Sequence, residues 1–597
     1  MTTWLLKFGL GGVQRLIGAS RKTRDLASGS KLVAALALEA LRSAEELGCD
    51  VLLPTSRLAG SHDHSMKYPS LSHQMVVRAS GSQADVEKVG SEIEVGVRSK
   101  LAELAKWEAW HGKRGSTIGW PRAEAVYCRS QLERALPLYW VAIPEEGNYS
   151  DDYARVQELF ACRKITRDFP QIEQLPEDRP GFSCGQCGER PAIAQPTEKQ
   201  KKALDRAVTI FTGRDRLCPV CLFKRLFSSG LQFPSTHELA LRRLYRSDWG
   251  QETIAALDKL KKDPDAPDRT AKGLLELSQE EVMTIFPEGK ARDLLLDENR
   301  PVAGPYWAVV RWDGDSMGKW FSGTLFRPDV ALRDGQKTLG DALGRFARGV
   351  SATARSHDAT LVYAGGDDGL ALCPLDSALE FSRRVGGLWS REMAGVKEMS
   401  SNSAGRSSPS LSLQITVAHL KMPLQVLLER SSVALGELKE DLDRRGGFGI
   451  EALIRAGGPA SMSGGWDELR RVTSAVESCS NWRRDDYHGA GDGRPREDTL
   501  KQRQTTALPR RLLRTLETRS RAYFSGPQDG PGLEREAMLR DMKLSLGRSG
   551  TNNEQAGLVI LDWLEERCTL TPAAYWAPGI AVPLQVVRFL ARELSWN

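Results

Sequence analysis

Two short stretches constrain this chain more than any other feature, and they do so only when taken together. WAVVRWDGDSMGKWF at 307–321 is an apolar run that ends in Asp313-Gly314-Asp315, with a helix expected near Ser316. LVYAGGDDGLAL at 361–372 passes through Gly365-Gly366-Asp367-Asp368 and returns to apolar residues. That is the pattern of a β-hairpin with two carboxylates at its tip, because paired glycines supply the positive φ angles a tight turn needs. If the two strands are neighbours in one sheet, Asp313 meets Asp367 and Asp368 at one edge. Three carboxylates that close repel one another unless a cation lies between them, and the natural one is Mg²⁺ with phosphate as its other ligand.

Each half alone is an ordinary acidic loop. An acid at a strand end, a helix-bearing stretch and then a double-acid hairpin form the order of the palm of nucleotidyl cyclases and polymerases. A shorter version of the pattern opens the chain. Trp4 to Phe8 reads as a strand, Gly-Leu-Gly-Gly at 9–12 as a turn, and helices are expected from Val13 and again from Ser30, before CDVLLPTS returns as a strand. This second unit has no acid where Asp313 stands. Arg21-Lys22-Thr23-Arg24-Asp25 followed by Gly29-Ser30 suits either a phosphate at a helix start or a solvated helix end with Ser30 as N-cap. His62-Asp63 lies in a loop without the further ligands that a metal nuclease requires.

At 597 residues the chain should hold several domains. The expected division is 1–150, a degenerate palm-like unit; 151–300, helical with a cysteine module; 301–460, the acid-bearing palm; and 461–597, helical. Cys184-Gly-Gln-Cys187 and Cys218-Pro-Val-Cys221 are two knuckles that together make a tetrahedral Cys₄ zinc site, structural because four thiolates leave no open position. The other cysteines among the ten (Cys49, Cys128, Cys162, Cys373, Cys479, Cys568) are scattered and expected in cores. A net charge of +6 permits a nucleic-acid partner without requiring one. No apolar run approaches membrane-spanning length and the first residues do not read as a signal peptide, so a cytoplasmic protein is expected.

After the acidic hairpin, SALEFSRRVGGLWSREM reads as a helix, 400–410 as a Ser/Gly-rich loop, LSLQITVAHL as a strand, and LQVLLERSSVALGELKEDL as an amphipathic helix. Lys439 near its end suits a triphosphate, or is a plain surface lysine. Arginines at 509–521 beside Tyr523 and Phe524 suit an RNA backbone or an acidic protein face alike.

With these motifs in this order, the chain resembles the large polymerase/cyclase-like subunit of type III CRISPR effector complexes, most closely the Cmr-type (III-B) branch. The resemblance rests on GLGGVQRLIGASRKTRDLASGSKL, the four cysteines, WDGDSMGKW, YAGGDDGLAL, and ITVAHL through ALGELKEDL, and it runs to about residue 460. It implies an α+β multidomain fold with two palm (ferredoxin-like) domains, a zinc-bearing helical domain between them and a helical end. It implies a guide RNA, a target RNA and other complex subunits as partners, and antiviral synthesis of a nucleotide second messenger from ATP. The product would be a cyclic oligoadenylate or an adenylyl conjugate. Asp313, Asp367 and Asp368 would hold two Mg²⁺ or Mn²⁺ ions, with Gly365 and Gly366 shaping the turn. Lys439 would contact phosphate, and Ser30 would face a second ATP. The HD nuclease domain that many relatives carry at their start is expected to be absent. A non-catalytic RNA-binding scaffold and a free-standing cyclase are the competing readings.

Overall fold

The computed structural model describes residues 2–55, 72–105, 122–166, 182–193, 216–227, 233–245, 279–285, 305–401, 408–441, 445–454 and 458–479, with short pieces at 288, 292, 296, 540, 562–564 and 583–590. The His62-Asp63 dipeptide, residues 194–215 between the two cysteine knuckles, the loop at 402–407 and the arginines at 509–521 lie outside these residues.

The first domain is built on strands β1 (Thr3–Leu10), β2 (Asp50–Leu53), β3 (Gln74–Ser80) and β4 (Leu138–Pro144). Between them run helices α1 (Val13–Gly18), α2 (Thr23–Glu46), α3 (Gln83–Ala105) and α4 (Arg122–Ala135), and α5 (Tyr149–Ile165) follows β4. The sheet order is β2-β3-β1-β4, and β1 pairs antiparallel with both neighbours. This is the ferredoxin-like order, in which the first strand is central. Alternation along β1 sends Leu6, Phe8 and Leu10 into a core shared with α2 and α3, and Leu5 to the opposite face. There Tyr153, Val156 and Phe160 of α5 cover it. The boundary expected at 150 is therefore wrong: α5 completes the first domain, because without it Leu5, Val141 and Ile143 would face water.

A second correction concerns α2. It begins at Thr23, not at Ser30, so Ser30 lies inside a helix and offers no free N–H groups. The 21–25 segment is neither a phosphate loop nor a solvated helix end. Thr23 Oγ1 donates to the Pro234 carbonyl at 2.6 Å, and Asp25 is fully buried.

The linking region contributes α6 (Pro219–Phe227), α7 (Thr236–Tyr245) and α8 (Gln279–Ile285). The second palm then repeats the first: β5 (Tyr306–Gly314), α9 (Met317–Phe321), α10 (Leu332–Ser356), β6 (Thr360–Ala364), β7 (Gly369–Pro374), α11 (Leu375–Glu392), α12 (Ala394–Glu398), β8 (Leu411–His419) and α13 (Leu424–Glu440). Its sheet reads β10-β9-β8-β5-β7-β6, with β9 (Phe448–Leu453) parallel to β8 and β10 (Ala460–Gly464) antiparallel to β9. The boundary expected at 460 fails here, since it cuts the β9–β10 pair. Helix α14 (Trp466–Cys479) also belongs to this domain: the Trp466 ring fills the space beside Gly386 where a Cβ would stand. Trp563, Leu564 and residues of 584–590 join the same core, and the Phe589 ring meets Tyr306 edge-on at 4.9 Å. Of the scattered cysteines, Cys128 and Cys373 are buried as expected, Cys49 is half-buried and Cys162 is exposed.

β5 is apolar on both sides. Ala308, Val310 and Trp312 face α10 and α11, while Trp307 and Val309 face α13, α7 and the first domain's Ile17 and Leu26. The second palm is thus clamped between its own helices and the first palm, and residues of both domains line one cleft. No helix among the described residues is long and apolar enough to cross a membrane.

Candidate active site

The strand ends bring the acids together. β5 pairs with β7 up to Trp312 opposite Gly369, and two residues further the Gly314 amide donates to the Asp367 carbonyl at 3.0 Å. Asp313 and the hairpin tip are therefore fastened at one sheet edge. A Cβ on Gly314 would lie 3.0 Å from Asp367 Cβ, so this position tolerates nothing larger. The turn closes through Gly365 N to Asp368 O at 2.8 Å. Of the two glycines only Gly366 has a positive φ (115°). Gly365 is needed for room instead, since a Cβ there would stand 2.5 Å from Asp368 Oδ1.

Electrostatics follow from this crowding. Asp367 is pushed up to about 6, first by burial in the cleft and then by Asp313. Asp368 rises to about 7 through burial, Asp367 and Asp313, with Arg311 opposing. Lys439, in the last turn of α13, forms an ion pair with Asp313 Oδ2 and lies 3.2 Å from the Gly314 carbonyl. The set already attracts a cation, and its donors are hard carboxylate oxygens of the kind that hold Mg²⁺ or Mn²⁺.

A residue not singled out from the sequence completes the edge. Asp315 is 3% exposed and accepts from Ser410 Oγ (2.7 Å) and Ser412 Oγ (2.9 Å), while its amide donates to the Ser410 carbonyl. Its Oδ1 is 3.9 Å from Lys439 Nζ. It ties the start of α9 to β8 and holds Lys439 over the strand end. The Asp-x-Asp spacing was the available signal, but spacing does not say which carboxylate turns inward.

The acids open on a cleft of about 590 Å³ lined by both palms, with Asp313, Asp367 and Asp368 on one side and Lys7, His73 and Gln157 on the other. Ser30 also lines it, but its hydroxyl donates to the Val362 carbonyl of β6 at 2.9 Å. Its evident task is to join the two domains.

In the cysteine module, the ligand sulfurs of Cys184, Cys187, Cys218 and Cys221 all lie within 4.8 Å of one another, and Cys187 Sγ is 3.8 Å from Cys218 Sγ. Four convergent thiols fit a tetrahedral zinc ion. Cys218→Ser is expected to lose the bound zinc by atomic absorption and to lower the melting temperature; full zinc content in that variant would refute the site.

A pH test addresses the acid edge. Groups held above their ordinary value give stability that is present at low pH and lost as pH rises through the folded value, here through 6 to 7 for Asp367 and Asp368. A divalent cation offsets that loss by binding the ionised form. Mn²⁺ should therefore raise the melting temperature clearly more at about pH 8 than at about pH 5.5. Equal shifts at the two would mean that these aspartates are not its ligands.

Comparison with known proteins gives two family models. Residues 306–446 match the Cas10/Cmr2 second palm domain, and residues 5–106 match the amino-terminal domain of the CRISPR-associated protein Cmr2. The Cmr2 subunit of the CRISPR Cmr system of Pyrococcus furiosus is 23% identical over 572 residues, covering 78% of this chain. The chain spans 63% of that relative's length. Among solved structures, a type III-B Cmr-beta complex in the apo state covers 92% of this chain and 77% of its own, with a TM-score of 0.60 and 14% identity. The Cmr-beta complex bound to cognate target RNA gives 0.61 at 14% identity, over 92% of this chain and 79% of its own. At that identity the likeness establishes the fold.

Proposed function

The chain belongs to the large subunits of Cmr-type (III-B) CRISPR systems, and we propose that it makes a nucleotide second messenger from ATP when its complex binds target RNA. The observation that carries this reading is the fastening of Asp313 to the Gly-Gly-Asp-Asp turn through Gly314 N and Asp367 O, at the mouth of a cleft of nucleotide size. The reaction is adenylyl transfer: a 3′-hydroxyl attacks the α-phosphate of ATP and pyrophosphate leaves. Asp313, Asp367 and Asp368 would hold two Mg²⁺ or Mn²⁺ ions, which when bound lower the pKa of the attacking hydroxyl and neutralise charge on the leaving oxygens. The aspartates fix where that charge sits. Lys439, held by Asp315 beside the strand end, is placed to meet phosphate once Asp313 is engaged elsewhere. The first palm lines the opposite side of the cleft.

The partners in this reading are a guide RNA, the target RNA and the other complex subunits; the product is a cyclic oligoadenylate or an adenylyl conjugate. The test is to incubate the assembled complex with ATP and Mg²⁺, with and without target RNA, and to identify the product by mass spectrometry. An oligoadenylate or conjugate formed only with target RNA supports the proposal. No product leaves a scaffold subunit, and product made without RNA indicates a free-standing cyclase.

A further inference from the structure

Gln186, between Cys184 and Cys187 of the first knuckle, is 3% exposed, and every one of its nitrogens and oxygens is bonded. Its amide donates to Cys184 Sγ at 3.4 Å, its Nε2 donates to the Ala19 carbonyl at 2.9 Å, and its Oε1 accepts from Arg225 at 2.9 Å. Its own carbonyl accepts from Gln425 Nε2 at 2.5 Å. Four convergent thiolates fix a knuckle without help from the side chain between them. The three outward bonds instead gather three parts of the chain at one point. Ala19 follows α1 of the first palm, Arg225 belongs to α6, and Gln425 is the second residue of α13. The far end of that second-palm helix carries Lys439, the ion-pair partner of Asp313.

Around that point the packing is incomplete. Ile17, Leu26, Leu424 and Leu428 share one apolar cluster. Yet a cavity of about 540 Å³ remains between α1, the first knuckle and α13, with Arg15, Ala19, Cys187, Glu189, Gln425 and Glu429 in its lining. Gln14, Ile17 and Tyr363 line both this cavity and the cleft that holds the acids, so they form the wall between the two. A close-packed interior resists displacement because every shift meets a neighbouring atom. Here α1 has open space behind it, and its distance from α13 is set by polar bonds that span the gap. Arg15 Nε also meets Glu189 Oε1 at 2.6 Å, but the Arg15 side chain is 65% exposed, and an ion pair so open to water contributes little. The buried span runs through Gln186.

We propose that Gln186 is a positioning residue for the cleft: the first knuckle, made rigid when its cysteines hold zinc, sets the separation of α1 from α13 and thereby that of the two cleft walls. Occupancy of the cysteine module and occupancy of the cleft are then linked, and each raises the affinity of the other by the same factor. The choice of ATP as the cleft's ligand rests on the function proposed above; the joint itself does not. A staple confined to the cysteine module would leave the cleft untouched, and that difference is measurable.

The link is best cut at Gln425, since replacing Gln186 would also strip Arg225 of a partner. Gln425 bonds the Gln186 carbonyl and takes no part in the cleft lining. In the full chain, Gln425→Leu removes the donor at similar volume and Gln425→Lys restores one. Zinc affinity, measured by competition with a chromophoric chelator, should fall about fivefold in Gln425→Leu, as for one lost hydrogen bond, and stay near the parent's in Gln425→Lys. Amide exchange in α1, across the joint from the substitution, should rise in Gln425→Leu and not in Gln425→Lys. ATP with Mg²⁺ should tighten zinc binding in the parent and not in Gln425→Leu, and calorimetry should show ATP itself bound about fivefold more weakly by that variant. Mn²⁺ binding should be unchanged, because its ligands all belong to the second palm. Zinc affinity and α1 exchange equal in parent and Gln425→Leu would overturn the inference. So would a joint loss of ATP and Mn²⁺ binding, which would mean a damaged second palm, or parent protein purified without zinc. A parent that binds no ATP refutes the nucleotide reading instead, and zinc affinity with α1 exchange then decides the joint alone.

Discussion

Asp367→Ala/Asp368→Ala is expected to cut nucleotide product by at least on the order of 10³-fold, roughly 4 kcal/mol of lost transition-state stabilisation, while guide-RNA binding is unchanged. The reason is local. Both side chains project from a turn whose backbone is held independently, by Gly365 N to Asp368 O and Gly314 N to Asp367 O. Removing the carboxylates therefore removes charge without undoing the sheet edge. It also relieves repulsion, since both groups are pushed up by burial and by neighbouring acids. The variant should consequently melt no lower than the parent without metal and lose the melting-temperature gain on adding Mn²⁺. Product at the parent's level, measured by mass spectrometry on the assembled complex, would dismiss the aspartates as metal ligands. The comparison with Lys439→Met is informative. That variant frees Asp313 from its ion pair, so Mn²⁺ should bind at least as tightly while product still falls.

The largest stability effect is expected far from the acids. Arg225, four residues after Cys221, bonds both oxygens of Asp25 (2.7 and 2.8 Å) and Gln186 Oε1 (2.9 Å), with its side chain 3% exposed and that of Asp25 wholly buried. Beside it the buried Lys224 donates to the Leu16 and Ala19 carbonyls and to Ser20 Oγ, closing the open end of α1. The cysteine module is locked to the first palm through this seam. Removing one partner of a buried, bidentate pair leaves the other charge uncompensated, which costs about 3–5 kcal/mol. Asp25→Ala and Arg225→Ala should each lower chemical-denaturation stability by that amount, and a double replacement by apolar residues should recover much of it. A loss of less than about 1 kcal/mol in both single variants would show that the seam is solvated.

Much of the architecture was readable in the chain. The strand-turn-helix opening, the amphipathic helices and the acidic hairpin are local patterns, fixed by alternation, glycine positions and helical spacing, and β1, β5, β7, β8, α11 and α13 lie where those patterns put them. The domain limits were less legible. Nothing local in SDDYARVQELF says that α5 returns to cover Leu5, and nothing in the 584–590 segment says that it packs against Tyr306. The start of α2 was misplaced because Thr23 and Asp25 read as exposed helix-end chemistry, whereas their partners, Pro234 and Arg225, are some two hundred residues away.

What the sequence alone determined is the inventory of chemistry: three aspartates on two motifs, two cysteine knuckles, and a strand-glycine turn repeated with its acid missing. These are properties of covalent order and short-range backbone preference. Only the tertiary structure decided which groups share a space. It set Asp315 inward and Asp313 outward, gave Ser30 to the domain seam, and laid Lys7 and His73 opposite the acids. Burial, charge neighbours and hydrogen-bond partners come from segments distant in the chain, and these, more than residue type, decide whether a lysine or an aspartate is a solvated surface group or part of a binding site.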